Sequence, residues 1–320
     1  MHYDYSRQRT LEEVIEETKL RLKQQENFSR DFIPPIMFLY KNILRPIYAE
    51  VKSSGLENIE KIKDKKYSII TYNHMFNFDA VEIVYNIMRA GIHPANVSKH
   101  EVFFDKNIGD RLLKWLMEGS GSFPVYLVYE EKDGIRSSRG TGELDRLKLD
   151  NFFKQFWAYL ELEKPVTMAI NGSITRERVF PKPENGLAHA LIRVPEQIGA
   201  KADEIYILPV GNAFIGDLTE YVKILSDHVH YRNFISQTKN GLLKIRKKIS
   251  LFLKFGEPFT LESVLKNHQE PNGIEQREAI SAEIMNRIKN EIRKAWNEFD
   301  IEKKYNRSVE DYFKESFFAK

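Results

Sequence analysis

The sequence predicts an α/β protein: a mainly parallel central sheet flanked by helices, with an N-terminal helical segment before it and a C-terminal helix after it. Three observations predict it. Short apolar runs rich in Ile and Val alternate with stretches of helical period from about Tyr67 onward, the pattern of a sheet covered on both faces. The first fifty residues carry helical periodicity and no strand signal, and so does the end of the chain. At 320 residues, 42% hydrophobic and 30% charged, the chain has an ordinary globular composition and room for one α/β domain with helical appendages.

Taken in order, Thr10 and Glu13 have the spacing of a capping box, and Leu11, Val14, Ile15, Thr18 and Leu22 fall on one helical face behind it. Pro34-Pro35 is expected to break or redirect that helix. Ile36 to Tyr48 then reads as an amphipathic helix, with Lys41 and Arg45 beside a wide apolar face. Strands are expected at 69–72, 96–98, 122–128, 166–170, 205–210 and 249–255, the last by alternation. Helices are expected at 80–90, 108–118, 144–162 and 185–198, with Asn185-Gly186 as the turn opening the last of these. Ile280, Ile284, Ile288, Ile292, Trp296 and Phe299 mark the closing helix. Residues 130–142, rich in Gly, Ser and charge, read as a mobile loop. The expected division is 1–50 helical segment, 51–266 α/β domain and 267–320 helical extension.

Forty-nine basic residues face forty-six acidic ones, a formal charge of +3, too balanced to argue for nucleic acid. Lys239 to Lys254 is basic but lacks the aromatic platform that single strands stack on, so it reads as a helix or strand edge. The absence of cysteine excludes disulfides, thiolate metal sites and a cysteine nucleophile. The polar, acid-rich first twenty residues are unlike a secretory signal. The most apolar stretch, Phe32 to Tyr48, is interrupted by Pro34, Pro35, Lys41, Arg45 and Pro46, and a membrane span needs roughly 20 apolar residues. The expected location is cytoplasmic and peripheral to a membrane.

Chemistry concentrates in Tyr72-Asn73-His74-Met75-Phe76-Asn77-Phe78-Asp79. A histidine stands just past a buried strand, and an aspartate five residues later opens a helix. That is the carboxyl end of a strand, where open α/β sheets bind and react. A carboxylate bonded to one imidazole nitrogen fixes the tautomer and leaves the other as a base, worth roughly 10²–10⁴-fold in rate. The competing reading is a loop histidine beside an N-cap.

The chain resembles the lysophospholipid and glycerol-phosphate acyltransferase family, whose first motif is N-H-x-x-x-x-D; Asn73, His74 and Asp79 fit it. Leu44-Arg45-Pro46 and Gly55-Leu56-Glu57-Asn58-Ile59 resemble the approach to that motif, and Ser98-Lys99-His100-Glu101-Val102 the lysine-bearing segment after it. Gly121-Ser122-Phe123-Pro124-Val125 resembles the second motif and Ile207-Leu208-Pro209-Val210 the fourth, so the likeness runs from about Leu44 to Leu261. Two departures stand out. The arginine that follows the second motif's Pro-Val is here Leu127 or Val128, leaving Arg136 or Arg139 as substitutes. The third motif, Glu-Gly-Thr-Arg, becomes Asn171-Gly172-Ser173-Ile174-Thr175-Arg176-Glu177-Arg178, without the glutamate in its usual place.

The resemblance implies transfer of a fatty acyl group from an acyl-CoA or acyl carrier protein thioester to a hydroxyl of glycerol 3-phosphate or its 1-acyl derivative, in phospholipid synthesis. It implies His74 as base and Asp79 as its orienting partner. It requires no metal and no cofactor, because the thioester is already activated. Gly172, Arg176, Arg178 and Lys99 are candidates for the acceptor's phosphate, since a glycine turn exposes N–H groups and guanidinium forks match phosphate oxygens. The competing reading makes them a solvated turn with surface cations. Expected partners are the thioester, the phosphorylated acceptor and a membrane surface, which Phe38, Leu39, Tyr40, Leu44 and Tyr48 would enter if that helix does not pack on the sheet. The altered motifs keep two alternatives open: another acceptor (a glycolipid, an amine or an ornithine lipid), or a silent lipid-binding module. Asp227-His228-Val229-His230 lacks a third ligand for a metal site, and no glycine-rich run has the setting of a phosphate-binding loop.

Overall fold

The structure, a computed structural model, describes residues 5–45, 48–74, 79–99, 108–125, 130–132, 135–137, 143–172, 180, 182–216, 249–268 and 273–314. Its centre is an eight-stranded, mostly parallel sheet with helices on both faces.

Helix α1 (Leu11–Leu39) starts with the expected box: the Thr10 N–H donates to Glu13 Oε2 at 2.8 Å, and the Glu13 N–H to Thr10 Oγ1 at 3.2 Å. Its inner face lies on α5 (Glu143–Glu161), where Val14 and Thr18 are fully buried and Gln155 donates to Thr18 Oγ1 at 2.6 Å. The helix does not break at Pro34-Pro35. It continues to Leu39 and loosens only afterwards into a π-helical turn, Tyr40–Leu44. Buried anchors on both sides, Phe28 and Ile33 before the prolines and Tyr40 after, hold the segment against the body. Tertiary packing here overrides a local breaker. The expected separate helix from Ile36 to Tyr48 is therefore the end of α1 plus that turn. Tyr40 and Tyr48 are buried at 4% and 7% exposure, so these two cannot enter a membrane interface, whereas Phe38 is 67% exposed.

The strands are β1 (Glu50–Ser54), β2 (Tyr67–Tyr72), β3 (Ala95–Lys99), β4 (Ser122–Val125), β7 (Val166–Ala169), β8 (Ile205–Gly216), β9 (Ile249–Phe255) and the short β10 (Phe259–Thr260). Their order is β1-β9-β8-β2-β7-β3-β4, with β10 joined to β8. Strands β2, β3, β4 and β7 run parallel, as do β2 and β8, so their carboxyl ends form one edge; β9 runs antiparallel to β8. Strand β9 is buried on both faces rather than alternating, because it lies between β1 and β8 and not at an edge. Strand β8 runs six residues past the expected Val210, because β9 supplies it with a second partner over Val210–Gly216. The stretch read as a mobile loop contains an antiparallel strand pair, β5 (Glu130–Lys132) with β6 (Ile135–Ser137); residues 133–134 and 138–142 lie outside the described ones. Strand β1 and helix α2 (Glu57–Lys63), too short for a clear period, went unread in the sequence.

One face of the sheet is covered by α2 and α3 (Asp79–Arg89), whose Ile59, Ile62, Ile83 and Ile87 meet Ile70, Leu208, Val210 and Phe214. The other carries α5, α6 (Asn185–Ile198) and the long α8 (Ile274–Glu298), which follows the short α7 (Leu261–Leu265). Helix α4 (Ile108–Gly119) leads into β4. Two short helices, α9 (Ile301–Tyr305) and α10 (Val309–Lys314), bring Tyr312 back into the core beside Trp296 and Phe180. Helix α8 crosses β8 so closely that a Cβ on Gly211 would stand 2.6 Å from the Ile292 nitrogen, so only glycine fits there.

Candidate active site

Strand β2 is central in the sheet and its last residue, Tyr72, is fully enclosed. Just past it the chain must leave the sheet without abandoning buried polar groups, and three asparagines from three adjacent strands accomplish this. The Asn73 amide donates to the Asn212 carbonyl at 2.8 Å, and the Asn212 N–H returns to Asn73 Oδ1 at 2.9 Å. On the other side the His74 N–H donates to Asn171 Oδ1 at 2.7 Å, while Asn171 Nδ2 donates to the His74 carbonyl at 2.9 Å. The neighbours β8 and β7 thus each clamp the turn that carries His74 by a reciprocal pair of bonds.

Asp79 opens α3 with no solvent exposure, and its Oδ1 lies 2.6 Å from His74 Nδ1. Its other oxygen, Oδ2, accepts from Asn212 Nδ2, also at 2.6 Å. A carboxylate can only accept, so the proton of the imidazole is assigned to Nδ1 and Nε2 is the nitrogen left with a lone pair. The His74 side chain keeps 17% exposure, enough for a reactant to reach it. Tyr72 packs edge-on to the imidazole with ring centres 6.0 Å apart, and burial with the nearby Asp79 pushes its phenol well above its usual value, so it stays neutral. Tyr312 closes the far side: its hydroxyl accepts from the Phe214 N–H at 3.2 Å and donates to the Asn212 carbonyl at 3.4 Å.

The structure thus brings His74 and Asp79 together, one histidine–carboxylate pair at the carboxyl edge of the sheet. Gly172 follows β7 at the same edge with φ +62°, in a turn closed by its N–H to the Ala169 carbonyl at 3.2 Å. Lys99 ends β3 on that edge, and of it only the backbone is described. Arg176, Arg178 and Arg139 lie outside the described residues, as do Leu127, Val128 and the Asp227–His230 histidines; Arg136 lies in β6, backbone only. Among the described residues no group of three or more His, Asp or Glu stands together as a metal site would.

Three residues at this edge escaped the sequence reading. Asn171, standing where the family motif has glutamate, turns out to grip the His74 backbone. Asn212 reaches Asp79 across 133 residues, a distance no local spacing could signal. Glu184 packs its Cγ 3.4 Å from where a Gly172 Cβ would sit, and desolvation raises its carboxyl above the ordinary value. By contrast His189, lowered to about 4 by burial and by Arg193 and Arg277, accepts from Arg277 at 3.1 Å and rests on Phe153, a structural pairing behind α6.

No protein-family model matches the chain, and no curated protein matches it significantly.

Proposed function

We propose that this chain is an O-acyltransferase that moves a fatty acyl group from an acyl thioester to a hydroxyl of a phosphorylated glycerol. The observation that carries the reading is the His74 Nδ1–Asp79 Oδ1 contact of 2.6 Å at the carboxyl edge of the sheet. With Nδ1 engaged, Nε2 accepts the proton of the acceptor hydroxyl as its oxygen attacks the thioester carbonyl. The tetrahedral intermediate collapses, the C–S bond breaks, and the proton passes from Nε2 to the departing thiolate. Asp79 stabilises the imidazolium between those two steps. No covalent acyl-enzyme is needed, because the donor is already activated. Arg176, Arg178 and Lys99, with the Gly172 turn, are proposed to receive the acceptor's phosphate by charge-assisted bonds.

A second acceptor class is favoured by one observation. Asn171, where the resembled third motif has a glutamate, gives both ends of its amide to the His74 backbone. A glycolipid, amine or ornithine-lipid acceptor is therefore the competing substrate.

The reaction's lipids also suggest a one-sided membrane contact. No helix among the described residues is long and apolar enough to cross a bilayer. Phe38, exposed near the end of α1 with Lys41 close by, is the described part of the proposed contact.

The test is incubation of purified protein with palmitoyl-CoA and a panel of acceptors, with products read by mass spectrometry. Acylated glycerol 3-phosphate or its 1-acyl derivative supports the reading; no product with any acceptor, from palmitoyl-CoA or from palmitoyl-acyl carrier protein in a parallel incubation, removes it. Arg176→Ala and Arg178→Ala should each raise the acceptor KM about ten- to a hundredfold and leave the donor KM nearly unchanged. Vesicle co-sedimentation that rises with anionic lipid, falls with salt, and weakens in Phe38→Ser, Leu39→Ser would support the membrane contact.

A further inference from the structure

We propose that Asn212 is a positioning residue of the His74–Asp79 pair, its side-chain amide holding the Asp79 carboxylate in the one orientation that keeps the imidazole proton on Nδ1. This rests on His74 acting as the base. The aspartate's final torsion is a soft one, so a single bond to the imidazole leaves the carboxylate plane free to swing. A second bond, on the other oxygen, fixes that plane. Asn212 Nδ2 supplies it at 2.6 Å, in a place from which water is excluded.

The amide's direction is forced. Nδ2 faces two acceptors, the Asp79 carboxylate at 2.6 Å and the Asn73 carbonyl at 3.2 Å. Turning the amide over would set Oδ1 against both. In the forced direction Asn212 Oδ1 is buried with no hydrogen-bond partner among the described residues. A buried acceptor without a partner is unfavourable, so the amide is not arranged for its own satisfaction.

Backbone and side chain also divide their roles. The latch between β8 and the β2 turn uses the backbone N–H and carbonyl of Asn212, which any residue would provide. The Nδ2 bond to Asp79 is what only the side chain adds. Strand alternation aims it: Val210, Asn212 and Phe214 share the sheet face covered by α3, whose first residue is Asp79. Gly211, on the opposite face, lets α8 press β8 into that position.

The experiment follows the His74 Nδ1–H resonance by NMR of protein carrying ¹⁵N-histidine, assigned by its loss in His74→Ala, alongside steady-state acyl transfer. Asn212→Ala removes the donor. Asn212→Asp keeps the shape and both backbone bonds but sets a carboxylate oxygen against Asp79, where like charges repel or one proton must be shared. Both variants should shift the Nδ1–H resonance or broaden it by exchange with water. Their kcat should fall about ten- to a hundredfold while both KM values stay within about threefold, the split expected of an interaction that acts on the chemical step. If Asn212→Ala fails to fold, Asn212→Asp decides the matter alone. An unchanged resonance in a folded variant overturns the proposal, whatever happens to kcat. If the resonance moves but the wild-type protein acylates no acceptor, the positioning role stands and the proposed reaction is what fails.

Discussion

Asp79 and Glu82 lie one helical turn apart on α3, both fully buried, and they keep different company. Asp79 faces the sheet edge, where its neighbours are an imidazole and a neutral amide. Glu82 faces the N-terminal segment, where Tyr40 donates to it at 2.5 Å and the Arg45 guanidinium stands 3.4 Å away, while Asn86 on α3 itself donates at 3.2 Å. Burial raises the Glu82 carboxyl above its ordinary value, and Tyr40, Arg45 and Asn86 pull it back only in part. Glu82 thus has a permanent cation and a phenol too buried to ionise, an arrangement that joins the π-helical turn to α3. Asp79 has an imidazole whose second ring nitrogen, Nε2, keeps its lone pair. The same side-chain chemistry, buried twice on one helix, serves as a fastening in one place and, under the proposed function, as half of a proton-handling pair in the other.

The largest expected effect separates the two. His74→Ala and Asp79→Asn should each lower acyl transfer at least about 10²-fold, because the base is lost or its tautomer is no longer held. The unfolding curve of His74→Ala should change little, since the Asn171 clamp grips the backbone of His74 and not its ring. A His74→Ala enzyme retaining more than half of wild-type turnover would remove the distinction altogether.

Next comes the fastening itself. Tyr40→Phe withdraws the shortest bond to a buried carboxylate and should cost about 1–3 kcal/mol in urea denaturation, with turnover little affected. A stability equal to wild type would show that Glu82 is held by Arg45 and Asn86 alone.

A smaller effect is the pH dependence of that fastening. A carboxyl whose pKa is raised in the folded state binds its proton more tightly there than in the unfolded chain. Its contribution to stability is therefore full below the ordinary glutamate value and is lost as pH rises through the raised one. The stability difference between wild type and Glu82→Gln should shift against the wild type across that window, with a slope of at most about 1.4 kcal/mol per pH unit. A difference independent of pH would place Glu82's charge outside the balance.

The smallest effect belongs to Phe38, two residues before Tyr40 and 67% exposed. Phe38→Ser should alter stability by no more than about 0.5 kcal/mol. A larger loss would mean that this ring packs on the body, as Tyr40 does, and would end its proposed contact with a lipid surface.

Much of this was determined by the sequence alone. The alternation of apolar strands with helical stretches fixed the α/β class, because burial on both faces demands unbroken runs in strands and a 3.6-residue period in helices. The Thr10–Glu13 box and the start of α6 at Asn185 were legible for the same local reason. So was the nearness of His74 and Asp79, five residues apart in the sequence. Tertiary structure decided what local spacing cannot encode. It carried α1 through Pro34-Pro35, because buried anchors on each side outweighed the lost backbone bonds. It folded Tyr40 and Tyr48 inward from a stretch whose amphipathic pattern suited a membrane equally well. It also brought Asn171 to His74 and Asn212 to Asp79 from 97 and 133 residues away, since strand order in a sheet, not distance along the chain, determines which side chains meet at its edge.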